Sequence, residues 1–219
     1  MVGVACYAPA MDLRQPMRVV TPTLDGDVLA ILARADKAFS NGEIASAIPD
    51  VTKEGVRKAL RRLVAQGIVE STRAGNSLMY RLNREHLAAP AIEALANIWL
   101  QLIERLRENI GTWTIAPVAA ALFGSAGRGE GTANSDLDIL VIRPAPVDVE
   151  AVTWREQLAS LEQAATRWTG NDTRVLEYGE DELSRGRRGE PVVVTALAEG
   201  IELAGSLRLL RLRLARTKR

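Results

Sequence analysis

The chain has 219 residues, 47% of them hydrophobic and 25% charged, with a net charge of +1 at neutral pH. Those are the proportions of an ordinary soluble globular protein, long enough for one large domain or two modest ones. A single cysteine, Cys6, and a single histidine, His86, exclude an internal disulfide framework, a cysteine-rich zinc site and a multi-histidine metal centre.

No apolar run reaches the length of a membrane span, so no membrane partner is expected. The first residues lack a basic flank before an apolar core, which predicts a cytoplasmic protein without a secretory signal. Cys6, in this poorly constrained stretch, is read as inert.

The first periodic segment, Gly26 to Ala35, places Val28, Leu29, Ile31 and Leu32 as in a short helix. Ser40 and Glu43 form a capping-box pattern that starts a second helix, and Pro49 stops it. A third helix is expected from about Thr52, with Val56, Leu60, Leu63 and Val64 on one face and Gly67 near its end. Lys53, Arg57 and Arg61 recur every four residues, and Lys58 and Arg62 make an adjacent stripe, so one side of this helix is cationic. Residues 68–72 and 78–82 read as two strands, with Arg73 to Ser77 as the turn between them.

Three helices followed by a hairpin resemble the winged helix-turn-helix of prokaryotic transcriptional regulators, here over residues 20–86. The resemblance implies DNA as a partner, with the third helix in the major groove and Arg73 near backbone or minor groove. The expected DNA-binding residues are Lys53, Arg57, Lys58, Arg61, Arg62 and Arg73. From Val51 to His86 eight basic residues face three acidic ones, which suits a phosphate-facing surface. Arg81 and His86 match the R-x4-H spacing of some ribonucleases; because Arg81 falls on an expected strand, the match is taken as accidental.

Residues 87–111 are read as one amphipathic connecting helix, with Ile92, Leu95, Trp99, Leu102, Ile103, Leu106 and Ile110 at helical steps. Its stripe is expected to pack on the C-terminal domain; a homodimer interface is the competing use.

Residues 117–123 form an expected strand that runs into Gly124-Ser125, a glycine-rich turn, and Ser135-Asp136-Leu137-Asp138 at the head of an apolar strand. In a strand, residues two apart share a face, so Asp136 and Asp138 project together while Leu137, Ile139 and Val141 face the other way. Paired carboxylates suit a divalent metal, and hard oxygen ligands favour magnesium with substrate phosphates completing its shell. A glycine after the strand lets backbone approach those phosphates.

This ordered set resembles the signature of the minimal nucleotidyltransferases of the DNA polymerase β superfamily, a G-S motif followed by D-x-D. The motif residues are Gly124, Ser125, Asp136 and Asp138, and Arg128-Gly129 resembles the continuation in minimal members. Ala126 departs from the pattern, since many members carry arginine there. The resemblance implies an NTP substrate gripped by Gly124, Ser125 and Arg128, with Mg2+ on Asp136 and Asp138. It also implies a third acidic residue on a later strand, for which Glu177 is the candidate and Asp172 the runner-up.

A helix from about Val149 to Trp168, the strand carrying Glu177, two short helices from Glu180 and Pro191, and an apolar segment at Ile201 to Ala204 complete the expected domain, 112–205. Residues 206–219 are read as a basic tail. The fold class is therefore α+β: an N-terminal winged helix-turn-helix, a connecting helix and an α/β nucleotidyltransferase fold with a mixed sheet. The expected activity is magnesium-dependent transfer of a nucleoside monophosphate to a protein, tRNA or small-molecule hydroxyl, as in an antitoxin-type protein. A transcriptional regulator whose second domain only senses nucleotide is the alternative.

Overall fold

A computed structural model describes residues 10–186 and 189–216. Cys6 lies outside them, as do Lys218 and Arg219 of the expected tail. The chain divides into two compact units, residues 15–98 and residues 1–14 with 99–219. Among the described residues no helix is long and apolar enough to cross a membrane.

In the smaller unit, a short 3-10 segment (Pro16–Val19) precedes α1 (Leu24–Ala33), β1 (Phe39–Ser40), α2 (Asn41–Ala47), α3 (Lys53–Ala65), β2 (Val69–Ala74), β3 (Ser77–Leu82) and α4 (Ala89–Ala96). The capping box at Ser40 forms in both directions: its hydroxyl accepts from the Glu43 N–H at 3.2 Å, and its own N–H donates to Glu43 at 2.7 Å. Thr52 caps α3 by accepting from the Gly55 N–H at 3.1 Å. Val28, Leu32, Ile44, Val56 and Leu60 are fully buried together in one core; at roughly 1.5–3 kcal/mol each, such residues hold the three helices against the sheet.

That sheet has three strands in the order β1-β3-β2, all antiparallel. Strand β1 has no counterpart in the sequence reading, because two residues are too few to show a period. The hairpin is tighter than expected: Ala74 pairs with Ser77, leaving only Gly75-Asn76 to turn. Gly75 has φ +59° while Asn76 does not have positive φ, as a type II′ turn requires. Arg73 is thus a strand residue near the tip rather than part of the turn.

The single connecting helix expected over 87–111 is two helices, α4 and α5 (Ile98–Gly111). Asn97 ends α4, its backbone and side-chain amides both returning to the Glu93 carbonyl at 3.0 and 2.9 Å. The apolar stripe divides at this point. Ile92 and Leu95 join the core of the smaller unit, whereas Leu102, Ile103, Leu106 and Ile110 join a core of the larger one.

The larger unit continues with β4 (Ala119–Phe123), a single helical turn α6 (Gly124–Gly127), β5 (Leu137–Arg143), α7 (Val152–Thr169), β6 (Thr173–Gly179), α8 (Glu180–Arg185), α9 (Pro191–Glu199), β7 (Ile201–Gly205) and α10 (Leu207–Arg216). Its sheet runs β6-β5-β4-β7, parallel between β5 and β6 and antiparallel elsewhere, the mixed sheet expected. Alternation along the strands builds two cores. Leu122, Ile139, Val141 and Val175 pack with Leu106, Trp154 and Leu161 on one face. Phe123, Leu140, Ile142 and Tyr178 pack with Leu183, Val193, Leu197 and Leu210 on the other.

The segment read as a basic tail is therefore a helix, α10, docked through Leu207, Leu210 and Leu214. Those leucines recur at i, i+3 and i+7, one helical face. Both outer strands are tied off by side chains. The Thr173 and Val175 N–H groups of β6 donate to Thr166 and Glu162 of α7 at 3.2 and 2.9 Å. On β7 the Glu202 carbonyl accepts two N–H groups from Arg107 at 3.0 and 2.8 Å.

Candidate active site

Strand β4 delivers its chain into α6 through Gly124, whose φ of +69° is a conformation that favours glycine. Phe123 pairs with Asp138 across the antiparallel register, so Gly124 arrives beside that carboxylate. A Cβ on residue 124 would lie 3.1 Å from Asp138 Oδ2. Glycine is needed here twice over, for its backbone angle and for the room it leaves the acid. Ser125 follows in the same turn, which no side chain caps.

Trp99 holds that turn from behind, its indole N–H donating to the Ala126 carbonyl at 2.8 Å. Ala126 itself is fully buried in the apolar core under the sheet. An arginine there would place a charge among hydrophobic side chains, which accounts physically for the departure at this position.

The loop before Asp136 is fixed by Asn171, only 2% exposed. Its side-chain amide donates to the Thr132 and Ser135 carbonyls at 3.1 and 2.9 Å, and its oxygen accepts from the Met11 N–H at 3.3 Å. The Ser135 hydroxyl closes the loop internally by accepting from the Thr132 N–H at 2.9 Å. Neither Trp99 nor Asn171 was singled out from the sequence for this role. A helical stripe and a helix stop account for them locally, and only the tertiary fold brings them to the motif.

Asp136 immediately precedes β5 and Asp138 lies on it, either side of buried Leu137, and Arg174, registered with Asp138, also reaches Asp136. Burial, and then the neighbouring charge of Asp136, push the Asp138 carboxyl above its ordinary range, while Arg174 works in the opposite direction. Excess negative charge of this kind is relieved by a cation. The pair offers the hard oxygen donors that magnesium takes, with room in the coordination shell for phosphate oxygens. Two protein carboxylates fit such an ion; among the described residues, no cluster of three or more His, Cys, Asp or Glu does so.

Glu177 is not brought to this pair. It registers with Val141, three residues along the strand from the Asp138–Arg174 register pair, which is about 10 Å at the ordinary rise of a strand. It also points to the opposite face, the face of Val175, where the Arg143 Nε donates to it at 2.6 Å. Glu177 is therefore withdrawn as the third acid and metal ligand. The residue that β6 sets across from Asp138 is Arg174, whose Nη1 lies 3.0 Å from Asp136 Oδ2. Asp172, the runner-up, is turned toward that same guanidinium at 3.3 Å.

Arg128 is exposed at the end of the turn, and its guanidinium meets Glu130 at 2.9 Å and Glu199 at 3.6 Å. The Glu130 carboxylate raises its pKa further above the arginine range. It reaches phosphate only by leaving those acids.

In the smaller unit, Lys53, Arg57, Lys58, Arg61 and Arg62 are all exposed on α3, and Arg73 is exposed on β2. Two of them are already engaged. Arg57 is gripped by Glu54 through two bonds of 2.7 Å, and Arg62 by Asp25 of α1 at 2.6 and 3.0 Å. The Arg62 pair fastens α3 to α1, and it lowers the Asp25 carboxyl below its usual range.

Residues 101–184 match the nucleotidyltransferase domain family. The match covers 84 of the 219 residues, and nucleotidyl transfer is the enzyme class that it supports. Two solved structures are similar over 55% of this chain and 83% of their own. One is a toxin–antitoxin crystal structure with AMP-PNP, 23% identical with a TM-score of 0.34. The other is a mutant of the toxin–antitoxin MntA–HpeT, 20% identical with a TM-score of 0.35. No curated protein matches the chain.

Proposed function

We propose that the protein transfers a nucleoside monophosphate from an NTP to an acceptor hydroxyl, with Mg2+ held by Asp136 and Asp138. The observation that carries this reading is the convergence of the aspartate pair with the Gly124 turn, whose lack of a side chain lets its backbone lie close beside the Asp138 carboxylate. A bound magnesium ion would supply Lewis-acid activation of the α-phosphate and neutralise the departing pyrophosphate. The chain's own groups do the rest. Backbone amides at the start of α6, lacking acceptors within so short a turn, are suited to the β and γ phosphates, and the Ser125 hydroxyl adds a donor. Asn171 keeps the Thr132–Ser135 loop, and with it Asp136, in one geometry.

The acceptor belongs to the class of protein, tRNA or small-molecule hydroxyls. An antitoxin acting on a partner toxin is the protein form of this reading. The smaller unit is proposed to be a winged helix-turn-helix that binds DNA through α3 and the β2–β3 hairpin. Lys53, Lys58, Arg61 and Arg73 are the cations offered first to phosphate, because Arg57 and Arg62 are held by acids.

A second reading has one observation in its favour: among the described residues no third acid joins the aspartate pair in a metal-binding group, as in a domain that senses nucleotide without turning it over. Incubation with α-labelled NTP, magnesium and cell extract separates the two. Label on an acceptor is expected, falling at least about a hundredfold in Asp136→Asn and Asp138→Asn, while both variants still shift DNA in a gel. No label on any acceptor, with tight sequence-specific DNA binding, would overturn the enzymatic reading in favour of the sensor.

A further inference from the structure

Strand β6 brings a positive charge into the carboxylate site. Arg174 lies directly across the parallel register from Asp138, on the same face of the sheet. Its guanidinium is shared between Asp136, at 3.0 Å, and Asp172, at 3.3 Å. The side chain is 63% exposed, so two ion pairs hold it and packing does not. Exposed ion pairs of this kind are weak, and the long arginine stem can carry the head into water at small cost.

We propose that Arg174 is a resident counter-ion of the site: it neutralises Asp136 in the free protein, gives way when a divalent cation binds, and thereby holds affinity for the free metal ion low. The inference rests on the reading of Asp136 and Asp138 as metal ligands. Even with the arginine head swung off Asp136, a unit positive charge about 6 Å from a divalent ion repels it in water by enough to weaken binding roughly tenfold. The same charge has the opposite sign of effect on a metal–triphosphate complex, because guanidinium groups pair readily with phosphate oxygens. Metal and nucleotide then bind more tightly together than apart, and the coupling is reciprocal. The arginine accordingly sets an order of preference, the complexed ion over the free one.

The test uses Mn2+ alone as a paramagnetic probe, titrated into the full-length chain while the signal of the unbound ion is followed. Arg174→Ala is expected to bind Mn2+ about tenfold more tightly than the wild type. Arg174→Lys, which keeps the charge, is expected to stay within about twofold of the wild type, and Asp138→Asn added to Arg174→Ala should erase the gain. Equal affinity in wild type and Arg174→Ala, with Asp138→Asn still weakening both, would overturn the counter-ion role and leave the metal reading standing. Binding indifferent to Asp138→Asn in every background would overturn the metal reading itself, and this inference with it. Since Arg174 is exposed, a single cooperative tryptophan-fluorescence melting transition in each variant verifies that it is folded.

Discussion

Strands β5 and β6 carry two charge clusters that differ in everything but their composition. Near the start of the strands, Asp136, Asp138 and Asp172 meet one exposed guanidinium, so negative charge is in excess and Asp138 resists ionisation. Near their ends, Arg143 is only 8% exposed and is surrounded by acceptors: Glu177 at 2.6 Å, Glu182 at 3.6 Å and the Val147 carbonyl. The first cluster is unbalanced and open to water. The second centres on a buried guanidinium and is closed. Exposure and like-charge crowding thus distinguish the end of the strands proposed for chemistry from the end that is held shut.

That contrast can be broken most directly at Arg143. Arg143→Ala is expected to cost about 2–4 kcal/mol in urea unfolding, since it removes a buried side chain and leaves the half-buried Glu177 and the Val147 carbonyl without their donor. All four tryptophans, Trp99, Trp113, Trp154 and Trp168, lie in the larger unit, so their fluorescence reads this transition specifically. A loss under about 1 kcal/mol would mean that the cluster is not the structural clasp its burial indicates.

Glu177→Gln sharpens the same comparison from the acid's side. It keeps the shape of the side chain but gives up a charge-assisted hydrogen bond, for an expected loss of about 1–3 kcal/mol. Label transfer should remain within about twofold of wild type. A hundredfold loss of transfer in a folded variant would restore Glu177 to the site.

The smallest effect concerns Asp138 and pH. Its carboxyl is raised above 3.8 by burial first and by Asp136 second, so the folded state holds the proton more tightly than the unfolded one. Stability is therefore undiminished by this group below about pH 3.8 and declines as pH rises through the folded value. Without added metal, Asp138→Asn should melt a few degrees above wild type at pH 7 and show no advantage near pH 3.5. Equal melting at both values would mean that Asp138 is not strained by its surroundings.

Much of this arrangement was legible in the sequence, and the parts that were not share a cause. Period-two alternation set Leu137, Ile139 and Val141 apart from Asp138 and Leu140, and the Ser40–Glu43 pattern marked a helix start whose two reciprocal bonds are present. Both are local properties of a few neighbouring residues. Glu177 failed because alternation within β6 says which of its residues share a face, while the parallel register with β5 decides which of them meets Asp138. The stripe of 92–110 failed at Asn97, since an unbroken helical period does not say which core each turn enters. In the last segment, cations at 208, 211 and 213 drew attention from the spacing of Leu207, Leu210 and Leu214.

The tied-off margins of the larger sheet bear on how the protein behaves among copies of itself. A strand from another molecule can extend a sheet only by finding a row of free amides and carbonyls, and Thr166, Glu162 and Arg107 occupy successive places in those rows. Self-association by edge-to-edge stacking, the route into fibrils, is thereby discouraged at both margins. The occupied edge groups tilt assembly of this domain toward side chains on its helices and loops, where recognition is selective.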